Sequence, residues 1–267
     1  MGNSTLFTLT IVELEKFFRR KFIIGMLIFL LISQMMAGFL LSVFQSKDSP
    51  GYSGYQIWAM TEHFALQLAA ILLLVVSSMS FSEEVTQGTM QFLVTNAGNR
   101  KGIILGKFIA LSILAILIVV LITLAGGLFG ALLGDLTALY EGDYLFYTSG
   151  QLFRGFLIAS GLTVFPFLSL VTFGLCVSTF AYSTGTAIGT SLLLYFLLQF
   201  ISQIDKIGRY FFSNFLFAPI KNVSDATEGL YINWFNQVYW LLGSSLITIL
   251  VLILYSLYIF DRRDLWE

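Results

Sequence analysis

Charged residues, cysteine, histidine and proline are all scarce in this sequence. Only 11% of its 267 residues are charged, against roughly 25% in a soluble domain. The single cysteine, Cys176, excludes an internal disulfide, and the single histidine, His63, lacks the partner histidines of a zinc site. Hydrophobic residues make up 57% of the chain, and its mean hydropathy is +0.87. This composition predicts a polytopic membrane protein.

Motifs of catalysis and nucleotide binding are missing as well. No serine stands in a Gly-x-Ser-x-Gly setting. Residues 102–108 are one residue shorter than a phosphate-binding loop and end in Phe108, where that loop has Ser or Thr. The formal net charge of -1 gives no reason to expect nucleic acid as a partner. We therefore predict a chain without catalytic residues, metal ligands or a cofactor of its own.

Six apolar runs are long enough, or nearly so, to cross a bilayer, which takes about 20 residues of α-helix. The runs are Phe22–Phe44, Phe64–Phe81, Ile103–Gly134, Leu152–Phe180, Thr186–Ile204 and Val238–Phe260. No internal repeat or low-complexity linker divides them. The sequence therefore predicts an all-α membrane protein with six transmembrane helices in a single domain, residues 1–267.

Lysine and arginine are unevenly distributed between the two sets of connecting segments. With the N-terminus inside, nine of them lie on the cytoplasmic side and five on the external side. Cytoplasmic loops carry the excess of Lys and Arg in membrane proteins. Both termini are therefore predicted to be cytoplasmic, in a multi-pass protein of the cell membrane.

The N-terminal segment, residues 1–21, combines apolar and charged positions. Phe7, Ile11, Leu14 and Phe18 recur at helical spacing, with charged residues between them. This pattern is typical of an amphipathic helix that lies in the cytoplasmic interface of the membrane. The alternative is a plain cytosolic cap on the first span.

Two further segments outside the spans are predicted to carry structure. Residues 82–102 are the longest polar interruption on the basic side, and their few apolar residues favour a short amphipathic helix that needs a partner protein. Residues 203–237 are rich in aromatic residues. Their pattern favours external re-entrant or interfacial helices over a simple aromatic belt.

Two features of the spans bear on packing and on energy supply. Gly126, Gly130 and Gly134 recur every fourth residue, a spacing that lets helices approach closely in lipid. We favour packing within the bundle over a dimer interface. The spans carry glutamines but no central acid, which ion-coupled carriers normally need. Energy for any transport is therefore predicted to come from elsewhere.

The polar loop after the second run gives the chain a family resemblance. Its motif residues are Glu84-x3-Gly88-Thr89-x3-Leu93, then Arg100, then Gly106-Lys107. With six spans and an amphipathic N-terminal segment, the sequence resembles the type-2 permeases of ATP-binding-cassette (ABC) exporters. The family often has Pro and Ser in the turn before the arginine, where this chain has Ala97 and Asn99.

The resemblance implies that residues 82–102 hold a cytoplasmic coupling helix that docks on a separate ABC ATPase subunit. The residues implied in this contact are Glu83, Glu84, Gly88, Thr89, Met90, Phe92, Leu93, Arg100 and Lys107. ATP and magnesium would be bound by that partner subunit. A second permease copy, as homodimer or related heterodimer, would face this one through the second and fifth spans. Without a partner, the same charges fit a solvated helix end and the positive-inside rule.

Weakly polar residues on those two spans are the candidates for a translocation pathway. They are Gln67, Ser77, Ser78, Thr190 and Gln199. The apolar, Phe-rich surroundings favour an amphipathic cargo, and within the family this points to export of antimicrobial or cytolytic peptides ahead of a drug, a lipid-linked glycan or sodium. The alternative from another class is an ATP-independent membrane scaffold whose loop binds a different cytosolic partner.

Overall fold

Six long helices dominate the computed structural model, which describes residues 2–44, 53–90, 94–95, 100–141, 144–230 and 234–262. The helices long and apolar enough to cross a membrane are α2 (Lys21–Phe44), α3 (Gly54–Thr86), α4 (Arg100–Leu133), α5 (Ser149–Phe180), α6 (Thr184–Ser202) and α9 (Trp234–Arg262). Each one contains most of a predicted apolar run. The all-α polytopic fold is confirmed.

Smaller elements connect these spans. The shorter helices are α1 (Gly2–Arg19), α7 (Asp205–Gly208) and α8 (Ala218–Thr227), with one turn of 3-10 helix at Phe212–Phe215. Strands β1 (Leu139–Glu141) and β2 (Tyr144–Tyr147) form an antiparallel hairpin between α4 and α5. Hydropathy alone did not predict this hairpin.

α3 is longer than the apolar run from which it was predicted. It begins at Gly54, where the side chain of Ser53 caps it by accepting a hydrogen bond from the backbone N–H of Gln56. The extension brings Glu62 inside the span, fully buried. The prediction that the spans carry glutamines but no central acid is therefore corrected by Glu62, an acid buried within α3. The apolar run itself begins only at Phe64, because Glu62 and His63 interrupt the hydropathy pattern.

The centre of the bundle is formed by α3, α4 and α5. Leu73 of α3, Leu111 of α4 and Leu170 of α5 are among their fully buried side chains. α6 and α9 instead bury few of their side chains, and many of their large apolar side chains are exposed, among them Phe200 of α6 and Leu250 of α9. In a membrane, such surfaces contact lipid tails or another helix at little cost.

The glycines at the end of α4 face the beginning of α3. A Cβ atom on Gly130 would lie 2.5 Å from the backbone oxygen of Gly54, and one on Gly126 would lie 2.7 Å from Cδ1 of Trp58. Trp58 stacks on Phe156 of α5 with ring centroids 4.1 Å apart. The glycine stripe therefore serves close packing within the chain, the role that the sequence favoured.

α1 packs against the first turns of α4. Gly106 permits this approach, because a Cβ atom there would lie 3.2 Å from the Cβ of Leu9. On the opposite face of α1, Phe7, Ile11 and Phe18 are exposed. An apolar outer face is what a helix in a membrane interface presents, and the placement of α1 in that interface stays a prediction.

The segment after α6 folds back onto the bundle. α8 contacts α3 and α5, and its Ile220, Val223 and Ala226 are buried. Pro219 in its first turn lacks a backbone N–H, which at that position would have no partner within the helix. The depth of this segment in the membrane stays a prediction.

Candidate functional site

A buried lysine joins three helices at the end of the bundle where α3 finishes and α4 starts. Lys107 is 1% exposed. Its Nζ donates to the backbone oxygen of Ser80 at 3.0 Å, to Glu84 Oε1 at 2.8 Å and to Glu13 Oε2 at 3.0 Å. An ammonium group has three donors, so these acceptors satisfy it completely. Lys107 thereby fastens α1, α3 and α4 to one another.

Lys16 completes this arrangement from α1. Its Nζ lies 2.8 Å from Glu13 Oε1 and 2.9 Å from Glu84 Oε1. We call the four residues Glu13, Lys16, Glu84 and Lys107 the charge cluster. Its two carboxylates and two ammonium groups leave no net charge, which matters because a buried charge is costly unless it is paired.

The charge cluster changes the pKa of its members outside the spans. Burial alone would raise the pKa of Glu13, but the charges and hydrogen bonds of Lys107 and Lys16 outweigh it and hold the pKa below its ordinary value of 4.5. Burial alone would lower the pKa of Lys16, but its hydrogen bond to Glu13 and the charges of Glu13 and Glu84 raise it above 10.5. Both groups are therefore ionised at neutral pH.

A second ion pair lies beside the cluster. Arg20, the single residue between α1 and α2, contacts Glu83 Oε2 through Nη1. Gln87 Nε2 also donates to Glu83, at 3.2 Å from Oε1. The junction of α1 and α2 is thus attached to the last turn of α3.

The chain reverses direction immediately after α3, at Gly88. Gly88 has a φ of +69°, a left-handed conformation that residues with a Cβ adopt only at a cost. The backbone N–H of Thr89 then returns to the oxygen of Glu84 at 3.0 Å. Gly88 and Thr89 are exposed, whereas Met90 turns inward and is buried.

The other end of the same loop is attached to α9. Arg100 Nη1 donates to the backbone oxygens of Phe260 at 3.3 Å and Asp261 at 3.4 Å. The ring of Phe260 packs edge-on against Phe81 of α3. Residues 82–102 are therefore braced at both ends, by the charge cluster and by the end of α9.

The structure describes only some of the other residues in the predicted coupling segment. Val94 and Thr95 are helical. Phe92 and Leu93, which the resemblance implied as anchors, lie outside the described residues. Of the residues implied in ATPase contact, Glu84 and Lys107 are buried within the charge cluster, and Gly88 and Thr89 are accessible.

The predicted pathway residues divide into two groups. Gln67 and Thr190 are exposed, and Gln199 is half-buried with its Nε2 3.1 Å from the hydroxyl of Tyr195. Ser77 and Ser78 are fully buried inside the chain. Ser77 fits against Gly174 of α5, where there is no room for a Cβ atom.

A pocket of about 750 Å³ opens at the end of the bundle opposite the charge cluster. Its walls come from α3, α8, α9 and the segment between α6 and α8. They include the bases Arg209 and Lys221, the acid Asp225 and the rings of Phe215 and Trp240. Arg209 lies over the Trp240 ring, 5.8 Å from its centroid. Such a pocket combines positive charge with aromatic surface.

In the sequence, Glu13, Lys16 and Arg20 are charged positions of the predicted amphipathic N-terminal segment. An acid and a base three residues apart on a helix are neighbours, and Glu13 lies on the face away from the exposed Phe7 and Ile11. A charged stripe on the inner face of an otherwise interfacial helix was the available signal. It indicates a polar partner inside the protein, which Glu84 and Lys107 supply.

Six membrane-length helices define a polytopic membrane protein, in which residues 82–102 are braced on both sides at one end of the bundle. Residues 52–265 match the model of the ABC-2 family transporter proteins. The match covers most of the chain, so this protein belongs to the ABC-2 family and is a type-2 permease, the membrane subunit of an ABC transporter. The family implies an ABC ATPase as partner. No curated protein matches the sequence significantly.

Proposed function

We propose that this chain is the membrane subunit of an ABC exporter, which couples ATP hydrolysis in a separate subunit to outward transport of an amphipathic substrate. The observation that carries this proposal is the bracing of residues 82–102 by buried ion pairs. A docking partner that moves this loop would move α1, α3 and α4 together, because Lys107 bonds to all three. A conformational change needs such a differential contact in its two states.

Two roles are assigned within the loop. Glu84 and Lys107, being buried, position the loop and transmit its movement. Gly88 and Thr89 are exposed and present the surface to the ATPase. Phe92 and Leu93 are assigned to the same contact from the family resemblance alone. ATP and magnesium belong to the ATPase subunit. In this assignment the charge-cluster end of the bundle is cytoplasmic, in agreement with the excess of Lys and Arg there, and both termini lie on that side of the cell membrane.

The pocket at the opposite end supports an amphipathic substrate. Aromatic walls suit an apolar face, and Arg209 and Lys221 suit acidic groups. Antimicrobial or cytolytic peptides are the first class to test, and a drug or a lipid-linked glycan are the alternatives. A second permease copy would complete the pathway, with Gln67, Thr190 and Gln199 on the accessible surface between the copies. We assign Ser77 and Ser78 to packing within the chain.

A matched pair of substitutions tests the docking surface. The permease, purified in lipid nanodiscs with its ATPase, is compared with Thr89→Arg and with Thr137→Arg, an exposed threonine at the other end of the bundle. Thr89→Arg should lower recovery of the ATPase about tenfold, the effect of roughly 1.4 kcal/mol of binding energy, and Thr137→Arg should not. Normal recovery with Thr89→Arg would show that this loop is not the docking site.

The same preparation tests the substrate and the alternative function. An amphipathic peptide should raise ATP turnover by the wild-type complex. A drug or glycan that raises it instead would reassign the cargo while leaving the exporter in place. If the wild-type permease recovers no ATPase and instead retains another cytosolic protein through Thr89, the scaffold function would replace transport.

A further inference from the structure

Glu62 lies in the contact between the three central spans. It is 0% exposed. It follows Trp58 by about one helical turn, so both side chains point from α3 toward α4. A carboxyl group inside a membrane span is costly and marks a functional site more often than a structural one.

Two hydroxyl groups meet one oxygen of this carboxyl group. Thr123 Oγ1 donates to Glu62 Oε1 at 2.7 Å, and Ser160 Oγ donates to the same atom at 3.2 Å. The two hydroxyl oxygens lie 2.9 Å apart. Thr123 belongs to α4 and Ser160 to α5, so Glu62 joins all three helices.

The other oxygen, Oε2, is buried and has no hydrogen-bond partner among the described residues. By hydrogen-bond geometry the same holds for Gln34 Oε1 and Trp58 Nε1, although the Trp58 indole N–H is close enough to the Glu62 carboxyl group to interact with it. A Cβ atom on Gly126 would lie 3.0 Å from both Gln34 Nε2 and Trp58 Nε1, which places the amide and the indole side by side.

A count of donors and acceptors favours a proton on Glu62. With an ionised carboxylate, the three unpartnered atoms are two acceptors and one donor. A proton on Oε2 makes them two donors and one amide oxygen, which can accept two hydrogen bonds. In the protonated form the donors and acceptors of these three atoms can therefore be matched in number.

No cation compensates this carboxyl group in the described part of the chain, where none of the ion pairs includes Glu62. α6 contains no charged residue. The charged or titratable residues on the other elements packed against α3, and on α3 itself, are Lys21 (α2), Arg100, Lys101 and Lys107 (α4), Arg154 and Cys176 (α5), Tyr195 (α6), Lys221 and Asp225 (α8), and Tyr55, His63, Glu83 and Glu84 (α3). The hydroxyl of Tyr55 is hydrogen-bonded to Ser149 and that of Tyr195 to Gln199.

Those residues lie elsewhere. The charges of α2 and α4 are in their first turns, at the charge-cluster end, and Arg154 is exposed. Lys221, Asp225 and His63 line the pocket, and the Nε2 of His63 is 2.9 Å from Gln67 Nε2. Glu62 differs in this from the members of the charge cluster, each of which has an opposite charge beside it.

We propose that Glu62 is a proton-binding site of the permease, a neutral carboxylic acid while α3, α4 and α5 are packed together, which gives its proton to water when they separate. The reaction is COOH + H2O → COO⁻ + H3O⁺: the O–H bond of the acid breaks, its electron pair stays on the carboxylate, and water forms a new O–H bond with the proton. Separation of the helices is then linked to pH on the side from which water enters. Low pH favours the packed bundle, and rising pH favours the opened one.

Infrared spectroscopy of the permease alone in nanodiscs tests the site directly. A protonated acid has a carbonyl stretch at higher frequency than any carboxylate band, and it shifts in D2O. This band should be present in the wild type at neutral pH and lost in Glu62→Gln, while Glu228→Gln, at an exposed acid, should keep it. Absence of the band in the wild type would overturn the proposal.

A second variant keeps the test decisive should Glu62→Gln fail to fold. Thr123→Val removes one hydrogen bond to Oε1 and should move the acid band to higher frequency without abolishing it. An unmoved band would show that the acid observed is not Glu62. Because neither measurement requires the ATPase or a substrate, failure here is distinct from failure of the exporter function.

Discussion

Lys107 Nζ and Glu84 Oε1 lie 2.8 Å apart although 23 residues separate them in the chain. Their contact closes the base of residues 82–102, the segment proposed to meet the ATPase. Glu13 and Lys16 join the same contact from α1. The N-terminal helix is therefore tied by ion pairs to the base of the segment proposed to meet the ATPase.

Removing the central cation of the charge cluster should destabilise the permease. Lys107→Met keeps the length of the side chain but leaves two carboxylates beside a single ammonium group, Lys16. Breaking a buried pair in this way costs about 3–5 kcal/mol. Thermal unfolding in detergent measures the loss. Lys101→Met is the control, because that side chain is 62% exposed and its ion pair with Asp261 is long, at 3.8 Å. Equal effects of the two variants would contradict the structural role of Lys107.

The attachment of α1 to the bundle should weaken in acid, because Glu13 loses its negative charge there. Its pKa in the folded protein is lowered from 4.5, so its stabilising contribution is fully present above about 4.5 and is lost as pH falls through the lowered value. Lys16, whose pKa is raised, contributes fully below 10.5 and loses its contribution as pH rises through the raised value. Limited proteolysis of α1 across acidic pH measures the first effect.

A neutral variant isolates that acid transition. In Glu13→Gln the proteolysis of α1 should be faster at neutral pH and should no longer increase as the pH falls, because the titrating group is gone. An unchanged acid transition in this variant would assign the pH dependence to another group of the cluster.

The sequence predicted the spans because a membrane imposes about 20 apolar residues on every helix that crosses it. Hydropathy located α2, α4, α5 and α9 to within a few residues of most of their ends. It missed the first part of α3, where Glu62 and His63 interrupt the run. In the sequence such an interruption resembles the end of a helix. The hydroxyl groups of Thr123 and Ser160, which are distant in the sequence, donate hydrogen bonds to Glu62 and so stabilise it inside the span.

Only part of the charge cluster could be predicted from the sequence. The motif marked Glu84, Gly88 and Lys107, and the structure places Glu84 and Lys107 together. Their partners Glu13 and Lys16 were visible as charges, but their role depends on how α1 is oriented on α4. That orientation follows from Gly106 and its contact with Leu9, a pair that no local pattern connects.

Adding one methyl group to the glycine stripe should loosen the contact between α3 and α4. In Gly130→Ala the new Cβ would lie 2.5 Å from the backbone oxygen of Gly54, which cannot rotate away. Overpacking of this kind costs about 1–3 kcal/mol. Gly161→Ala is the matched control, with no atom within 4 Å of its added Cβ. Unfolding temperatures in nanodiscs compare them, and an unaffected Gly130→Ala variant would show that the two helices can separate freely there.

The left-handed turn at Gly88 offers a test of geometry rather than of charge. Gly88→Ala should cost about 1–2 kcal/mol at its φ of +69° and should weaken ATPase recovery, because Thr89 would no longer be presented in the same direction. Asn tolerates this conformation better than Ala. Gly88→Asn should therefore recover more ATPase than Gly88→Ala, although its side chain is larger. If Gly88→Ala instead recovered more ATPase than Gly88→Asn, the ATPase would require a small residue at position 88. The conformation of the turn would then not be what positions the docking surface.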